Sequence, residues 1–109
     1  MTARGSGGVP QNKSLVGVEL SLGDEADAVA EAVSEVDPDA VITRLPAVLL
    51  VEAPGRLEID PARVREYLGR DWSVDDLQVI MASYFGFISR WEPDGVVLEW
   101  MRNAEEPAS

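Results

Sequence analysis

The first clear pattern along the chain is an alternation of apolar and polar positions between Leu15 and Leu22. Every second residue is aliphatic, as in a strand with one face in the core: Val16, Val18, Leu20 and Leu22. Gly23-Asp24 interrupts the alternation, and Asp24 is predicted to cap the helix that follows. Apolar residues then recur at three- and four-residue spacing and indicate an amphipathic helix: Ala26, Val29, Val33 and Val36. The helix ends at Asp37-Pro38, because a residue before proline avoids the helical region.

Two apolar runs follow, Ala40–Leu45 and Val48–Ala53. The segment Val48–Val51 is hydrophobic on both faces, which is typical of a central strand covered on each side, or of a sheet at a contact surface. Pro54-Gly55 predicts a tight turn, since glycine can take the positive φ that such a turn requires. A short strand over Leu57–Asp60 follows this turn.

The helix Pro61–Leu68 has sequence signals at both ends. Asp60 is its predicted cap, and proline suits the first helical position because the missing N–H has no partner there. Gly69 is predicted to end the helix, with Arg65 and Arg70 near its negative end.

A second helix is predicted over Val74–Met81. Ser73 and Asp76 have the spacing of a capping box at its start. Its inward residues are Val74, Leu77 and either Ile80 or Met81. Trp72 lies in the link between the two helices, where we expect it to fill the gap. The helix pair delivers the segment Ile80–Gly86 to one edge of the fold.

Two further strands, Phe85–Trp91 and Val96–Met101, are predicted to form a hairpin around Glu92-Pro93-Asp94-Gly95. The predicted fold class is therefore α+β: a mainly antiparallel sheet with about three helices, arranged as two strand-helix-strand-strand-like halves. We expect a single domain over residues 15–101, with flexible tails over residues 1–14 and 102–109, where no periodicity is found.

The composition excludes several functional classes. Nine basic and twenty acidic residues give a net charge of −11. Such a charge repels phosphate backbones and anionic lipid, so neither nucleic acid nor a membrane is an expected partner. It suits a partner with a basic surface, or serves solubility. There is no cysteine, no apolar run of membrane-spanning length and no signal peptide, so a cytoplasmic protein is predicted.

Catalytic chemistry has little support in the sequence. Histidine and cysteine are both absent, which removes the commonest general base, the usual nucleophilic triads and the usual metal ligands. The closest acidic clusters, Asp24-Glu25 with Asp27 and Asp75-Asp76, lie at predicted helix N-termini, where acids are expected for structural reasons. The glycines form neither a phosphate-binding nor a dinucleotide-binding loop. We therefore predict no catalytic, cofactor-binding or metal-binding residues and no cofactor.

The stretch Ala53–Gly86 resembles the effector (coupling, or regulatory) proteins of soluble bacterial di-iron monooxygenases, the MmoB/DmpM family. The family's order of motifs is a glycine turn, a short strand, a helix ending in Leu-Gly-Lys/Arg, then an aromatic residue and a helix that ends near Ser-x-x-Gly. The matching segments are Leu57-Glu58-Ile59, Leu68-Gly69-Arg70, Trp72-Ser73-Val74, Asp76-Leu77 and Ser83–Gly86. The resemblance extends over Val16–Trp100.

This resemblance implies a non-catalytic protein that binds the hydroxylase component near its active-site helices, and that competes with or precedes the reductase or ferredoxin. In the family such a protein tunes oxygen activation, substrate access, regioselectivity and the coupling of NADH oxidation to hydroxylation or epoxidation. The hydroxylase-binding residues expected from the motif register are Gln78, Ile80, Ala82, Ser83, Tyr84 and Phe85. For Ile80 a place in the helix core is an open alternative, as is the sheet core for Tyr84 and Phe85. The methane-type members are more polar here, which leaves the substrate class open.

Two other hypotheses are compatible with the pattern. A ferredoxin-like or ACT-type domain that senses a small molecule would use the Val48–Val51 run as a dimer surface and would dimerise with its ligand. A cofactor-independent enzyme would need a proton-transfer group in a pocket, where only carboxylates, Tyr67, Tyr84 and a few basic side chains are available.

Overall fold

The computed structural model of the chain describes residues 14–100. Ten elements follow one another in this part of the chain: β1 Leu15–Ser21, α1 Asp24–Val36, β2 Val41–Arg44, β3 Val48–Pro54, β4 Arg56–Ile59, α2 Pro61–Leu68, α3 Val74–Ile80, β5 Met81–Phe85, β6 Phe87–Glu92 and β7 Gly95–Glu99. The predicted α+β class is confirmed. The predicted tails lie almost wholly outside the described residues, so the predicted domain bounds remain predictions.

The strands form two antiparallel sheets. The first has four strands in the order β2-β3-β1-β5, and the second has three in the order β4-β7-β6. The predicted turn at Gly55 is present, with φ 73°, and it joins the two sheets. The Gly55 N–H donates to the Ser14 carbonyl at 2.8 Å, and its carbonyl accepts from the Trp100 N–H at 3.0 Å. One residue therefore forms hydrogen bonds with both ends of the described chain.

A single core lies between the sheets and the helices. The inward residues of β1 are fully buried, as predicted: Val16, Val18 and Leu20. The strands β3, β4 and β7 add further buried residues: Leu49, Val51, Ala53, Leu57, Ile59, Val96 and Leu98. Helix α1 contributes a broad buried stripe: Ala26, Ala28, Val29, Ala30, Ala32 and Val33. Within residues 14–100, no helix is long and apolar enough to span a bilayer.

Three predictions at the ends of β1 and α1 are wrong. Strand β1 ends at Ser21, and Leu22 is 40% exposed. The N-cap of α1 is Gly23, which makes no side-chain cap hydrogen bond, and Asp24 is the first helical residue. The Asp24 carboxylate accepts from Arg70 at 3.0 Å instead, so a long-range ion pair takes the group that the local pattern assigned to the cap. Val36 is 47% exposed because it lies at the last position of the helix, beyond the core.

The start of α2 and its end agree with the prediction. The Asp60 carboxylate accepts from the Ala62 N–H at 3.0 Å, and Pro61 occupies the first turn. Gly69 has φ 81° and donates its N–H to the Arg65 carbonyl at 2.8 Å. These contacts satisfy backbone groups that a helix otherwise leaves unpaired at its ends.

The link from α2 to α3 is fixed by Trp72 and by the capping box. Trp72 is 3% exposed, and its indole N–H donates to Glu25 of α1 at 3.2 Å. The side chain therefore also attaches this link to helix α1. The Ser73 N–H donates to the Asp76 carboxylate at 2.9 Å, and the predicted capping box is present.

The predicted strand Phe85–Trp91 is wrong, because the structure divides it at Gly86. Helix α3 ends at Ile80, β5 pairs with β1 in the first sheet, and β6 lies in the second sheet. Gly86 has φ 113°, and a Cβ there would lie 2.8 Å from Cγ1 of Val16. The chain changes sheets at this residue because only glycine fits so close to β1. The predicted hairpin turn is present, with Glu92 opposite Gly95. Strand β7 ends at Glu99, so Trp100 lies beyond the strand that was predicted over Val96–Met101, and it is 51% exposed.

Ion pairs join α1 to α2 and to the residues after α2. Glu35 accepts from Arg63 at 2.9 Å and from the Tyr67 hydroxyl at 3.0 Å, which raises the pKa of that phenol. The Arg70 hydrogen bond and charge lower the pKa of Asp24, and Asp24 in turn raises the pKa of Arg70. All of these groups lie at the surface, so they orient the two helices more than they stabilise the fold.

We expect Gly86→Ala to cost more stability than Gly69→Ala. Both glycines have positive φ, but a Cβ at Gly69 meets no atom within 4 Å, whereas at Gly86 it would clash with Val16. The expected losses in unfolding free energy are about 1 kcal/mol for Gly69→Ala and about 2 kcal/mol or more for Gly86→Ala. Urea denaturation of both variants measures the difference, and equal losses would show that β5 can move away from β1 without cost.

We expect Arg70→Gln to raise the pKa of Asp24 towards its ordinary value of 3.8. The folded-state pKa lies below the unfolded one, so the pair stabilises the fold above the unfolded pKa and stops doing so as the pH falls through the folded-state value. NMR titration of the Asp24 carboxyl, with pH-dependent unfolding, measures both effects. Arg44→Gln is the control, because Arg44 pairs with Asp27 and its loss leaves the pKa of Asp24 unchanged. The same unfolding curve for Arg70→Gln and wild type across the acid range would contradict the linkage.

Candidate protein-interaction surface

The segment Gln78–Phe85, which we name the α3–β5 ridge, contains all the predicted binding residues. Helix α3 is anchored by the buried side chains of Val74 and Leu77, and the strand begins at the next residue after the helix. Among the strands of residues 14–100, β5 pairs only with β1 and forms an edge of the four-stranded sheet. The predicted position of Ile80–Gly86 at one edge of the fold is therefore confirmed for the residues of β5.

The predicted binding residues differ in exposure. Gln78, Ala82 and Ser83 are exposed, and Tyr84 is 48% exposed. The sheet-core alternative for Tyr84 is therefore wrong. Ile80 is half-buried and packs against the core, which supports the helix-core alternative for that residue. Phe85 is also half-buried.

A β-bulge at Ala82 sets the directions of the ridge side chains. Leu20 of β1 lies opposite Met81 and Glu19 lies opposite Ser83, so Ala82 is an additional residue in β5. Such a bulge bends a strand and redirects its side chains. Met81 and Tyr84 consequently share the inner side of the sheet, although they are three residues apart. Tyr84 lies opposite the buried Val18 at the free edge, where its ring is half covered.

Sequence reasoning missed two apolar residues of this region. Val79 is 82% exposed and Phe87 is 60% exposed. A signal for Val79 was present, because it lies two positions after the inward Leu77 and therefore on the polar side of the helix. Phe87 had no such signal, since its exposure results from the change of sheet at Gly86. Exposed apolar side chains beside a free strand edge are typical of a surface that binds another protein.

Three of the carboxylates that the sequence presents in clusters have structural partners. Asp76 belongs to the capping box, Asp24 pairs with Arg70, and Asp27 accepts from Arg44 at 3.0 Å. In the described part of the chain, no three potential metal ligands lie close enough to share an ion. The arrangement around the ridge can bind a protein, but it presents no paired acid and base for a reaction.

Fold and surface together define a small α+β binding protein with an exposed apolar ridge. The model of the MmoB/DmpM family matches residues 14–99, and the chain belongs to this family. It is 38% identical over 87 residues to the phenol 2-monooxygenase stimulatory component DmpM of Pseudomonas sp. (strain CF600), with 80% of this chain and 96% of that protein covered. The family expected from the sequence motifs is thus confirmed.

Solved structures agree with this assignment. A chain in the structure of a phenol hydroxylase–regulatory protein complex superimposes with a TM-score of 0.72 at 34% identity, and covers 81% of this chain and 100% of that chain. The soluble methane monooxygenase regulatory protein B has the same fold, with a TM-score of 0.62 at 21% identity over 91% of this chain and 77% of that chain. Family membership favours the effector hypothesis over a metabolite-sensing domain, and β3, which holds the Val48–Val51 run, is an inner strand with no free edge.

We expect Val79→Ser to leave stability almost unchanged, although valine is the more hydrophobic residue. Its side chain is 82% exposed, whereas Leu77, two positions earlier, is fully buried. The unfolding free energy should change by less than about 0.5 kcal/mol in Val79→Ser and fall by about 2–5 kcal/mol in Leu77→Ala. Thermal and urea denaturation compare the two. A loss in Val79→Ser similar to that in Leu77→Ala would mean that Val79 is a core residue.

Proposed function

We propose that this chain is the non-catalytic regulatory component of a bacterial multicomponent di-iron monooxygenase and binds the hydroxylase through the α3–β5 ridge. The observation that carries the proposal is the 38% identity to a phenol monooxygenase stimulatory component, which extends over 96% of that relative. A chain in the structure of a phenol hydroxylase–regulatory protein complex matches 81% of this chain over its own full length. The protein supplies no cofactor and acts in the cytoplasm, in agreement with a sequence that has no cysteine.

The ridge supports this function because it is rigid and partly apolar. The capping box and the buried Leu77 hold α3, and the pairing with β1 holds β5, so little conformational entropy is lost when the ridge binds. Val79 and Tyr84 are the exposed apolar and aromatic side chains that a contact would bury. A contact of ordinary size would cover about 800 Å² on this side, with a few such residues contributing most of the affinity.

The effect on the hydroxylase follows from differential binding. A regulator changes its partner only if it binds one conformation better than another. A coupling of about 1–3 kcal/mol would change the populations of active-site states about fivefold to more than a hundredfold. Substrate access, oxygen activation, regioselectivity and the coupling of NADH oxidation would all respond to such a shift. Competition with the reductase or ferredoxin would follow if they use the same surface.

Electrostatics favours a basic partner. Every arginine in residues 14–100 already has an acidic or carbonyl oxygen within 4 Å: Arg44, Arg56, Arg63, Arg65, Arg70 and Arg90. Within these residues, the surplus acidic side chains therefore have no further cation to neutralise them. A basic groove on the hydroxylase would increase the association rate, and salt would reduce it.

We expect the protein to raise the turnover of its cognate hydroxylase and reductase and to increase the fraction of NADH that yields product. Tyr84→Ala should weaken hydroxylase binding about tenfold, since it removes an aromatic side chain from the ridge, which is about 1.4 kcal/mol. Steady-state turnover and isothermal titration calorimetry measure the two effects.

The matched control is Tyr67→Ala. Tyr67 lies on α2 and is 48% exposed, as Tyr84 is, but it contacts Glu35 and lies outside the ridge. Wild-type protein that changes neither rate, product distribution nor NADH coupling would disprove the regulatory function. Equal loss of binding in the two tyrosine variants would disprove only the assignment of the ridge.

A further inference from the structure

The outer face of the four-stranded sheet is a second surface with unusual composition. Strand β3 alternates between buried inward residues and half-buried outward ones. Its outward residues Val48 and Leu50 are aliphatic, and Val41 of β2, in register with Glu52, is 48% exposed. Helix α1 packs on the opposite face, where Asp27 pairs with Arg44. The sequence pattern allowed a sheet covered on both sides or a sheet at a contact surface, and the observed exposure fits the second.

This outer sheet face, which we define as the outward residues of β1, β2, β3 and β5, is continuous with the α3–β5 ridge. Gly17 lies opposite both Phe85 of β5 and Glu52 of β3. A Cβ at Gly17 would lie 2.9 Å from Cζ of Phe85 and 3.1 Å from Cγ of Glu52. The missing side chain therefore lets the Phe85 ring lie on the backbone of β1. Phe85 and Ser83 belong to the ridge and to the outer sheet face at once.

Two carboxylates lie among these apolar residues. Glu19 and Glu52 point to the outer sheet face, opposite Leu50 and Gly17 respectively, and both are half-buried. None of the arginines in residues 14–100 pairs with either of them. Further burial of a carboxylate without a cation is costly, so a partner that covers this face must supply basic side chains.

We propose that the outer sheet face is a second part of the contact with the hydroxylase and receives lysine or arginine side chains of the hydroxylase against Glu19 and Glu52. This inference rests on the proposed function. Its continuity with the ridge through Phe85 allows one partner to cover both surfaces. A second copy of this chain is a poor occupant, because a symmetric contact would bring two pairs of carboxylates together without a cation.

Charge reversal tests the proposal. The double variant Glu19→Lys/Glu52→Lys should weaken hydroxylase binding at least about tenfold at low salt, and the neutral variant Glu19→Gln/Glu52→Gln should weaken it less. Glu66→Lys is the control, because Glu66 is exposed on α2. Isothermal titration calorimetry at two salt concentrations measures the dissociation constants, after circular dichroism has verified the fold of each variant.

Single-cysteine labelling gives a second measurement that does not depend on charge. The chain has no cysteine, so Ser21→Cys on the outer sheet face and Ser34→Cys on α1 each introduce one thiol at an exposed serine. We expect the hydroxylase to protect Cys at position 21 from maleimide at least about tenfold more than Cys at position 34, because bound protein excludes the reagent. Mass spectrometry of this chain measures the labelling rate.

The outcomes separate the two proposals. Wild-type protein that does not bind the hydroxylase disproves both. Wild-type binding that is weakened by Tyr84→Ala, but not by Glu19→Lys/Glu52→Lys, and that gives no protection at position 21, disproves only the contact at the outer sheet face. Protection at position 21 in the absence of the hydroxylase also disproves it. A dimer in sedimentation would then assign the face to a second copy of the chain. Protection that is lost on deletion of residues 1–13 would assign it to that segment.

Discussion

The burial of strand β1 between β3 and β5 is the constraint on which the other features depend. Three of its side chains are fully buried on one face, and on the other face Gly17 is so closely covered that a Cβ would meet the Val51 carbonyl at 2.5 Å. The Phe85 ring of β5 also lies over Gly17, 2.9 Å from the place of a Cβ, and this contact favours the observed position of β5 along β1. That position fixes the bulge at Ala82 and the change of sheet at Gly86, and so determines which ridge residues are exposed.

Local patterns predicted most of the helices and strands because one or two neighbouring residues decide each of them. The Ser73–Asp76 box, the Asp60 cap, Gly69 and the alternation in β1 are examples in which the signal and its effect lie within a few residues. The order of these local signals along the chain was sufficient to predict the fold class and the family. The same signals predicted that the segment from Ile80 onward lies at one edge of the fold.

Long-range contacts explain the features that sequence reasoning did not predict. Asp24 does not cap α1, because Arg70 competes for its carboxylate from 46 residues away. Gly86 divides a continuous apolar segment, because β1 passes too close for any side chain. The bulge at Ala82 depends on the register with β1, which no local pattern contains. The candidate surface was thus predictable in its position along the chain, whereas the direction of each of its side chains was not.

The rigidity of the ridge affects how well a regulator that does no catalysis can distinguish two conformations of its partner. A regulator that became ordered only on binding would lose part of its binding energy to that ordering, and less would remain to distinguish two conformations of its partner. Here the capping box, the buried Leu77 and the pairing of β5 with β1 fix the ridge before it meets a partner. In the proposed contact, each hydroxylase conformation would meet a ridge of one fixed shape. A displacement of the hydroxylase surface by a fraction of an ångström would then change the packing on Val79 and Tyr84, and the free energy of binding would change with it.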